Sequence, residues 1–277
     1  MPLSTPARGR TTAGRLSALD AWVCHAERAL LLRHDGPWAA APYVDLGLGD
    51  TPWTTLESAH ALRTVRPDLP VVGIDSDAAR VAAAAPYADA LTTFRAGSFD
   101  LSPPVRLARV LNVLRQYPPT ELPDIHRRLG AAVLPGGLVL EGTSDARGGV
   151  LVVHLLRRGP DSPKAHGPLL REGLLFHTDF SSGFAPLLFR DRLPRDLRRV
   201  APGTAHHTFF AAWTAAWSET RASGVTEPAT LFTASAAGLA TRVEGIDPDP
   251  WLAANGYLVW RPPGGVPTHT LEAGARC

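Results

Sequence analysis

The chain has 277 residues, 45% of them hydrophobic and 19% charged, and a formal net charge of +2. That composition supports one large α/β domain, or one with a smaller appended part, and the near-neutral charge excludes a dedicated nucleic-acid binder, which would gather basic residues into a stripe. Two cysteines, Cys24 and Cys277, make neither a disulfide framework nor a zinc site, and no apolar run reaches the roughly 18 residues that span a bilayer.

Residues 1–11 read as a loose tail. Arg8, Arg10 and Arg15 precede the first acidic residue, Asp20, a pattern shared with transit peptides; a frayed terminus entering an ordinary helix is the better reading, and a cytoplasmic location is expected. From Thr12 to His34, apolar residues recur at three- and four-residue spacing, which predicts a helix stopped by Gly36 and Pro37. A short apolar strand follows at Tyr43 to Leu46 and runs into Gly47-Leu48-Gly49. Thr54 to Glu57 has the form of a capping box, with Thr54 as N-cap and Glu57 reaching back to it, ahead of a helix stopped by Pro67. Val71 to Asp75 reads as the second strand, Asp77 to Ala85 as a helix, and Ala90 to Phe94 and Val105 to Val113 as strands three and four. A helix from Thr120 to Val133 ends at Pro135-Gly136-Gly137, and Leu138 to Glu141 is a fifth strand.

Strands alternating with helices predict a doubly wound, mostly parallel Rossmann-like α/β sheet with helices on both faces. Beyond Gly142, Gly149 to Leu156 is a strand whose preceding turn is too short for a helix, so it should form an antiparallel hairpin. Gly173 to His177 and Asn255 to Arg261 are further strands, and Ala205 to Ser223 and Pro228 to Ala240 are helices. Gly159 to Pro168 is a loop. The expected organisation is a cofactor-binding core over 12–142, completion of the sheet and acceptor-side helices over 143–262, and a disordered tail over 263–277.

The glycines Gly47 and Gly49 stand at the carboxyl end of the first strand, where open parallel sheets bind ligands and where a glycine lets a ligand approach the backbone without meeting a Cβ. Asp75 ends the second strand, where a carboxylate can accept hydrogen bonds from both hydroxyls of a ribose. Ser76 and Asp77 are spare capping residues that leave it free to do so.

Asp45-Leu46-Gly47-Leu48-Gly49 resembles the first motif of class I S-adenosylmethionine (SAM)-dependent methyltransferases, and Gly73-Ile74-Asp75 resembles their second. Phe94 to Asp100 is similar to their adenine-contacting segment, and Leu134-Pro135-Gly136-Gly137-Leu138 to the turn before their fifth strand. The resemblance covers Pro42 to Gly142, and Asn112 to Tyr117 looks like a bacterial branch of these enzymes. It implies SAM as cofactor. By the same resemblance Gly47 and Gly49 contact the methionine part, Asp45 orients its amino group directly or through water, Asp75 holds the ribose, Ser98 and Phe99 frame the adenine, and Asn112 lies beside the methionine moiety. Thr51 stands where many members have a third glycine. Pro52 occupies the position at which a nicotinamide-dinucleotide loop would need its own third glycine.

Methyl transfer is largely a matter of positioning, and no general base is evident. Arg115 and Tyr117, following the fourth strand, are candidates for the acceptor pocket. His177 and Asp179 read as a structural pair before a base and orienter. His206-His207 are adjacent on a helix and point apart, so no metal site is expected there. Phe210, Trp213 and Trp217 form one helical face that reads as core. The expected function is methyl transfer to a small or medium organic molecule, with no nucleic-acid or membrane partner. The alternatives are a non-catalytic Rossmann-like module binding a nucleoside or protein partner, and an aminopropyl transferase, for which no paired acids appear after the fourth strand.

Overall fold

The computed structural model describes residues 12–101, 104–162, 167–198 and 201–263. Residues 1–11 and 264–277 of the expected tails, together with Cys277 and Lys164, lie outside the described residues.

Eight strands form one sheet: β1 (Tyr43–Leu46), β2 (Val71–Asp75), β3 (Thr92–Ala96), β4 (Val105–Leu111), β5 (Val133–Ser144), β6 (Val150–Arg158), β7 (Leu169–Thr178) and β8 (Tyr257–Trp260). Their order is β3-β2-β1-β4-β5-β6-β7-β8. The first five run parallel; β6, β7 and β8 are added antiparallel, β6 as the expected hairpin from β5. Strand order reverses between β1 and β4, which opens a crevice at their carboxyl ends. The fold is Rossmann-like.

Among the described residues eight α-helices accompany the sheet: α1 (Ser17–Ala26), α2 (Arg28–Leu32), α3 (Trp53–Arg63), α4 (Ala78–Ala84), α5 (Leu122–Ala132), α6 (Ala205–Ala222), α7 (Pro228–Ala240) and α8 (Pro250–Ala254). Residues from α1, α2, α3 and α8 pack with Tyr43, Leu107, Leu140 and Val153 on one face. On the other, α5 packs on Val44, Ala108 and Val139. There α6 and α7 pack on Val152, Leu174 and Phe176, with Phe210 and Trp213 in this core and Trp217 partly buried against it. Helices therefore cover both faces, as the near-continuous apolar strands require.

Three elements differ from expectation. The first predicted helix is broken at Glu27, whose φ is −107° and whose carboxylate receives Arg157 at 2.7 Å. The capping box does not form: α3 begins at Trp53, with Pro52 as N-cap and no side-chain cap. Glu57 instead accepts the amide of Gly14 at 2.9 Å, because the N-terminal segment crosses this helix end. The Pro135-Gly136-Gly137 turn lies inside β5, beside a register shift between Val105 and Leu107 of β4.

A buried arginine closes the base of the sheet. Arg106 of β4 is fully buried and donates to the carbonyls of Leu30 (2.7 Å), Leu31 (2.9 Å), Arg33 (3.0 Å), Ala41 (2.8 Å) and Trp38. Helix ends leave carbonyls without intrahelical donors, and here one guanidinium from the central strand supplies them. Burial lowers its pKa to about 10, with Arg66 acting the same way.

Candidate functional site

At the carboxyl ends of β1, β2, β3 and β4 lies a cleft enclosing about 870 Å³, its open mouth included. Gly47 and Gly49 form one wall, Asp75 and Ser76 the next, and Gly97, Ser98 and Phe99 the third. Asn112, Val113, Arg115, Gln116 and Tyr117, which follow β4, form the fourth. Eight of the nine residues singled out from the sequence thus share one cleft; the exception is Asp45.

Gly47 has φ +98° and Gly49 φ +74°, conformations at which L side chains are strained. A Cβ on Gly47 would also sit 2.7 Å from Cγ2 of Val113. The Gly47 amide donates to Ile74 O at 2.7 Å, which ties the loop to β2. Thr51 is absent from the residues with positive φ, so its backbone has no need of glycine. Asp75 is 3% exposed. Its Oδ1 accepts the amide of Asp77 at 2.9 Å, and Oδ2 stands 3.7 Å from Arg80. A carboxylate has about four lone-pair sites, so Asp75 retains capacity for the two hydroxyls of a ribose.

Asp45 stands apart from these walls. It does not line the cleft, because its carboxylate is turned into the sheet and bound by Arg109 (3.0 and 2.7 Å) and by the Thr55 hydroxyl (2.6 Å). Arg109, itself fully buried, also donates to Asp20 at 3.2 Å and to Ser58 Oγ at 2.6 Å. Burial would lower the Arg109 pKa, but Asp45 and Asp20 raise it above the ordinary value. Asp20 is pushed up to about 7 by burial, against the pull of Arg109. Asp45 thus acts on the glycine loop from beneath, by anchoring the end of β1.

Asn112 is one of two non-glycine residues with positive φ among those described, at +62°. Its amide side chain is committed to β5, giving Nδ2 to Ser144 Oγ (3.0 Å) and accepting the Ser144 amide at Oδ1 (3.1 Å). Its contribution to the cleft is therefore the backbone turn it holds. Phe99 and Tyr117 meet edge to face, their centroids 5.3 Å apart. Burial, then Glu121, raises the Tyr117 hydroxyl above its ordinary range.

Two cleft residues escape the sequence reading. Arg15 lines the cleft and donates from Nε to Ser144 Oγ (3.2 Å) and Asp145 O (3.0 Å). Arg80 bridges to Asp50 at 3.1 Å, across the glycine loop. Only the tertiary fold brings either residue there. His177 is buried with its ring tilted against Tyr257, centroids 4.4 Å apart, and Asp179 accepts from Ser181, both outside the cleft walls. His206 turns inward to Trp260, while His207 is exposed.

A second polar group lies between α5 and α6. Glu141, His154 and Asp196 each present a metal-ligand atom within 4.8 Å of the others. Asp196 already binds His154 Nε2 (3.0 Å) and Arg171. With Arg171 offsetting Asp196, an un-ionised Glu141 balances the group without a cation. Burial, and then Asp196, holds the Glu141 carboxyl well above its usual range. As pH rises above the ordinary glutamate pKa, the unfolded chain ionises while the folded one keeps its proton, so stability falls. Glu141→Gln should therefore gain on the wild type by up to about 1.4 kcal/mol per pH unit across that window. Urea unfolding at pH 5.5 and 7.5 checks this, and parallel pH profiles would refute it. Two histidines act in the opposite sense: burial lowers His126 and His177 to about 4, so their contribution to stability is lost as pH falls from about 6.5 toward 4.

No family model matches the chain, and no curated protein does. Partial likeness in fold extends to the magnesium protoporphyrin IX methyltransferase of Synechocystis PCC 6803 with bound S-adenosylhomocysteine (SAH). The identity is 18%, over 47% of this chain and 54% of that one, with a TM-score of 0.35. A SAM-bound amino pentose methyltransferase from Micromonospora echinaspora gives 18%, 62%, 70% and 0.35 on the same measures. An O-methyltransferase from neocarzinostatin biosynthesis, in complex with SAH and 1,4-dihydroxy-2-naphthoic acid, gives 23%, 47%, 41% and 0.32. The chain thus spans only about half the length (54%) of the first of these proteins. Among the described residues, no helix is long and apolar enough to cross a membrane.

Proposed function

We propose that this chain is a class I SAM-dependent methyltransferase acting on a small or medium organic acceptor. The observation that supports this best is Asp75, a buried carboxylate with spare acceptor capacity, on the same cleft as the positive-φ glycines Gly47 and Gly49. In this reading Asp75 holds the ribose hydroxyls, Ser98 and Phe99 flank the adenine, and the glycine loop admits the methionine part. Asn112 shapes the wall beside it by its backbone, and Arg115 and Tyr117 face the acceptor.

When bound, SAM supplies a methyl carbon on a cationic sulfur, which leaves as a neutral thioether once the acceptor lone pair bonds to that carbon. The residues of the chain serve to align that lone pair with the carbon–sulfur axis, a task that can supply much of the barrier reduction. Calorimetric titration with SAH, alongside NAD, tests the reading. Micromolar SAH binding corresponds to about 8 kcal/mol. Loss of two hydrogen bonds to a charged acceptor, at about 1.5–3 kcal/mol each before any rearrangement, predicts that Asp75→Ala weakens SAH by at least about 100-fold. Folded wild-type protein that ignores SAH would overturn the proposal.

A further inference from the structure

Resting on the methyltransferase reading, we propose that Arg15 holds the cofactor by the carboxylate of its methionine part, and so makes the cleft select SAM over decarboxylated SAM. The first motif brings Asp45 to the end of β1, but that carboxylate is spent on Arg109 and Thr55. Among the described residues that line the cleft, Asp75 is the one acid, and in this reading it serves the ribose. The methionine end of the cleft therefore offers no carboxylate to an ammonium group. The charged residue it does offer is Arg15.

Arg15 lines the cleft together with Leu16, Gly47 and Asn112. Its Nε–H donates to Ser144 Oγ at 3.2 Å and to Asp145 O at 3.0 Å. The same Ser144 hydroxyl accepts Asn112 Nδ2 at 3.0 Å. Val113, next in the chain, lies so close to Gly47 that a Cβ there would sit 2.7 Å from its Cγ2. These contacts put Arg15 at the glycine-loop end of the cleft, where the methionine part enters. The backbone around it is fixed as well. The Gly14 amide donates to both oxygens of Glu57, at 2.9 and 3.0 Å, and the Arg15 carbonyl packs on Gly148 where no Cβ would fit. A side chain carried on so fixed a segment costs less to order when a ligand arrives. Leu16 is the N-cap of α1 and brings no capping side chain, so the positive end of that helix stands beside the same wall.

A guanidinium fork meets a carboxylate through two parallel hydrogen bonds. SAM and SAH carry that carboxylate. Decarboxylated SAM does not, and it brings a sulfonium and an ammonium group with no negative charge to offset them. Beside a half-buried arginine, such a ligand forgoes the charge-assisted pair and adds like charge, and both effects count against it. Aminopropyl transfer, which draws on the decarboxylated cofactor, is thereby disfavoured at the binding step. Arg15 is a specificity-determining residue in this account and takes no part in the transfer itself.

The test is calorimetric titration with three ligands: SAH, the SAH analogue that lacks only the carboxylate, and methylthioadenosine, which lacks the whole amino acid. The wild type is compared with Arg15→Gln and Arg15→Lys. The wild type should prefer SAH to the decarboxylated analogue by about 10- to 100-fold, the worth of hydrogen bonds to a charged group. Arg15→Gln should weaken SAH by that factor while binding the other two ligands no less tightly than the wild type does. Arg15→Lys should keep part of the preference. Equal affinity of the wild type for SAH and the decarboxylated analogue would overturn the proposal, and that comparison needs no variant to fold. So would an Arg15→Gln protein that loses all three ligands alike, the mark of a residue that only shapes the N-terminal segment. Either of those results leaves the methyltransferase reading standing, whereas folded wild-type protein that ignores all three ligands removes that reading itself.

Discussion

Replacing Arg109 with leucine should cost about 3–5 kcal/mol of folding free energy, enough to unfold many domains. The arginine sits at 0% exposure between Asp45 and Asp20, and its removal strands two carboxylates where water cannot reach them. The loss should depend on pH with a definite sign. Without the cation, both carboxyls have folded-state pKa values above their unfolded ones, so the variant loses stability as pH rises and regains it as pH falls toward 5. A triple variant that also converts Asp20 and Asp45 to alanine should be less damaged than Arg109→Leu alone, because no unpaired charge is left inside. Urea denaturation at pH 5 and 8 reads all three. An Arg109→Leu variant within 1 kcal/mol of wild type, an estimate set by the lower range for a lost interaction, would show that the ion group is solvated in a way its burial denies.

The second large effect is expected at Gly148. This glycine has φ +80°, and a Cβ there would overlap the carbonyl oxygen of Arg15. Backbone cannot yield as a flexible side chain can, so Gly148→Ala must displace the N-terminal segment or distort the β5–β6 hairpin. The cost is about 2–4 kcal/mol, combining positive-φ strain with the overlap. The displaced segment carries Arg15 and Leu16 off the cleft wall and breaks the Gly14–Glu57 hydrogen bond. Trypsin should then cut after Arg15 in the variant under conditions that spare the wild type. Resistance equal to wild type, with unchanged stability, would refute the prediction.

The parallel half of the fold was legible because its signals are local. Apolar runs of strand length, glycines at strand exits and Asp75 followed by spare capping residues each need only a few neighbours to be read. The β6 hairpin was legible for a similar reason, since the seven residues between Glu141 and Gly149 cannot hold a crossover helix. The ion pair of Asp45 was not legible, because its partner is remote. Arg109 arrives from β4, and the sign of its presence was available: Arg106 and Arg109 interrupt an otherwise apolar central strand, where a charge must find buried partners. The capping box failed in the same way, because Glu57 had a tertiary donor in Gly14 that no local pattern announces.

Arg106 has a consequence for synthesis. The carbonyls of Leu30, Leu31 and Ala41 receive their side-chain donor from a residue made about seventy positions later, whereas those of Arg33 and Trp38 also accept from Arg66. A nascent chain that has emerged only as far as β3 holds its first helices without that donor, and must keep those carbonyls in water. Vectorial folding from the N-terminus therefore stalls until the central strand leaves the ribosome, and the paired helices at the start of the chain are among the later pieces to settle.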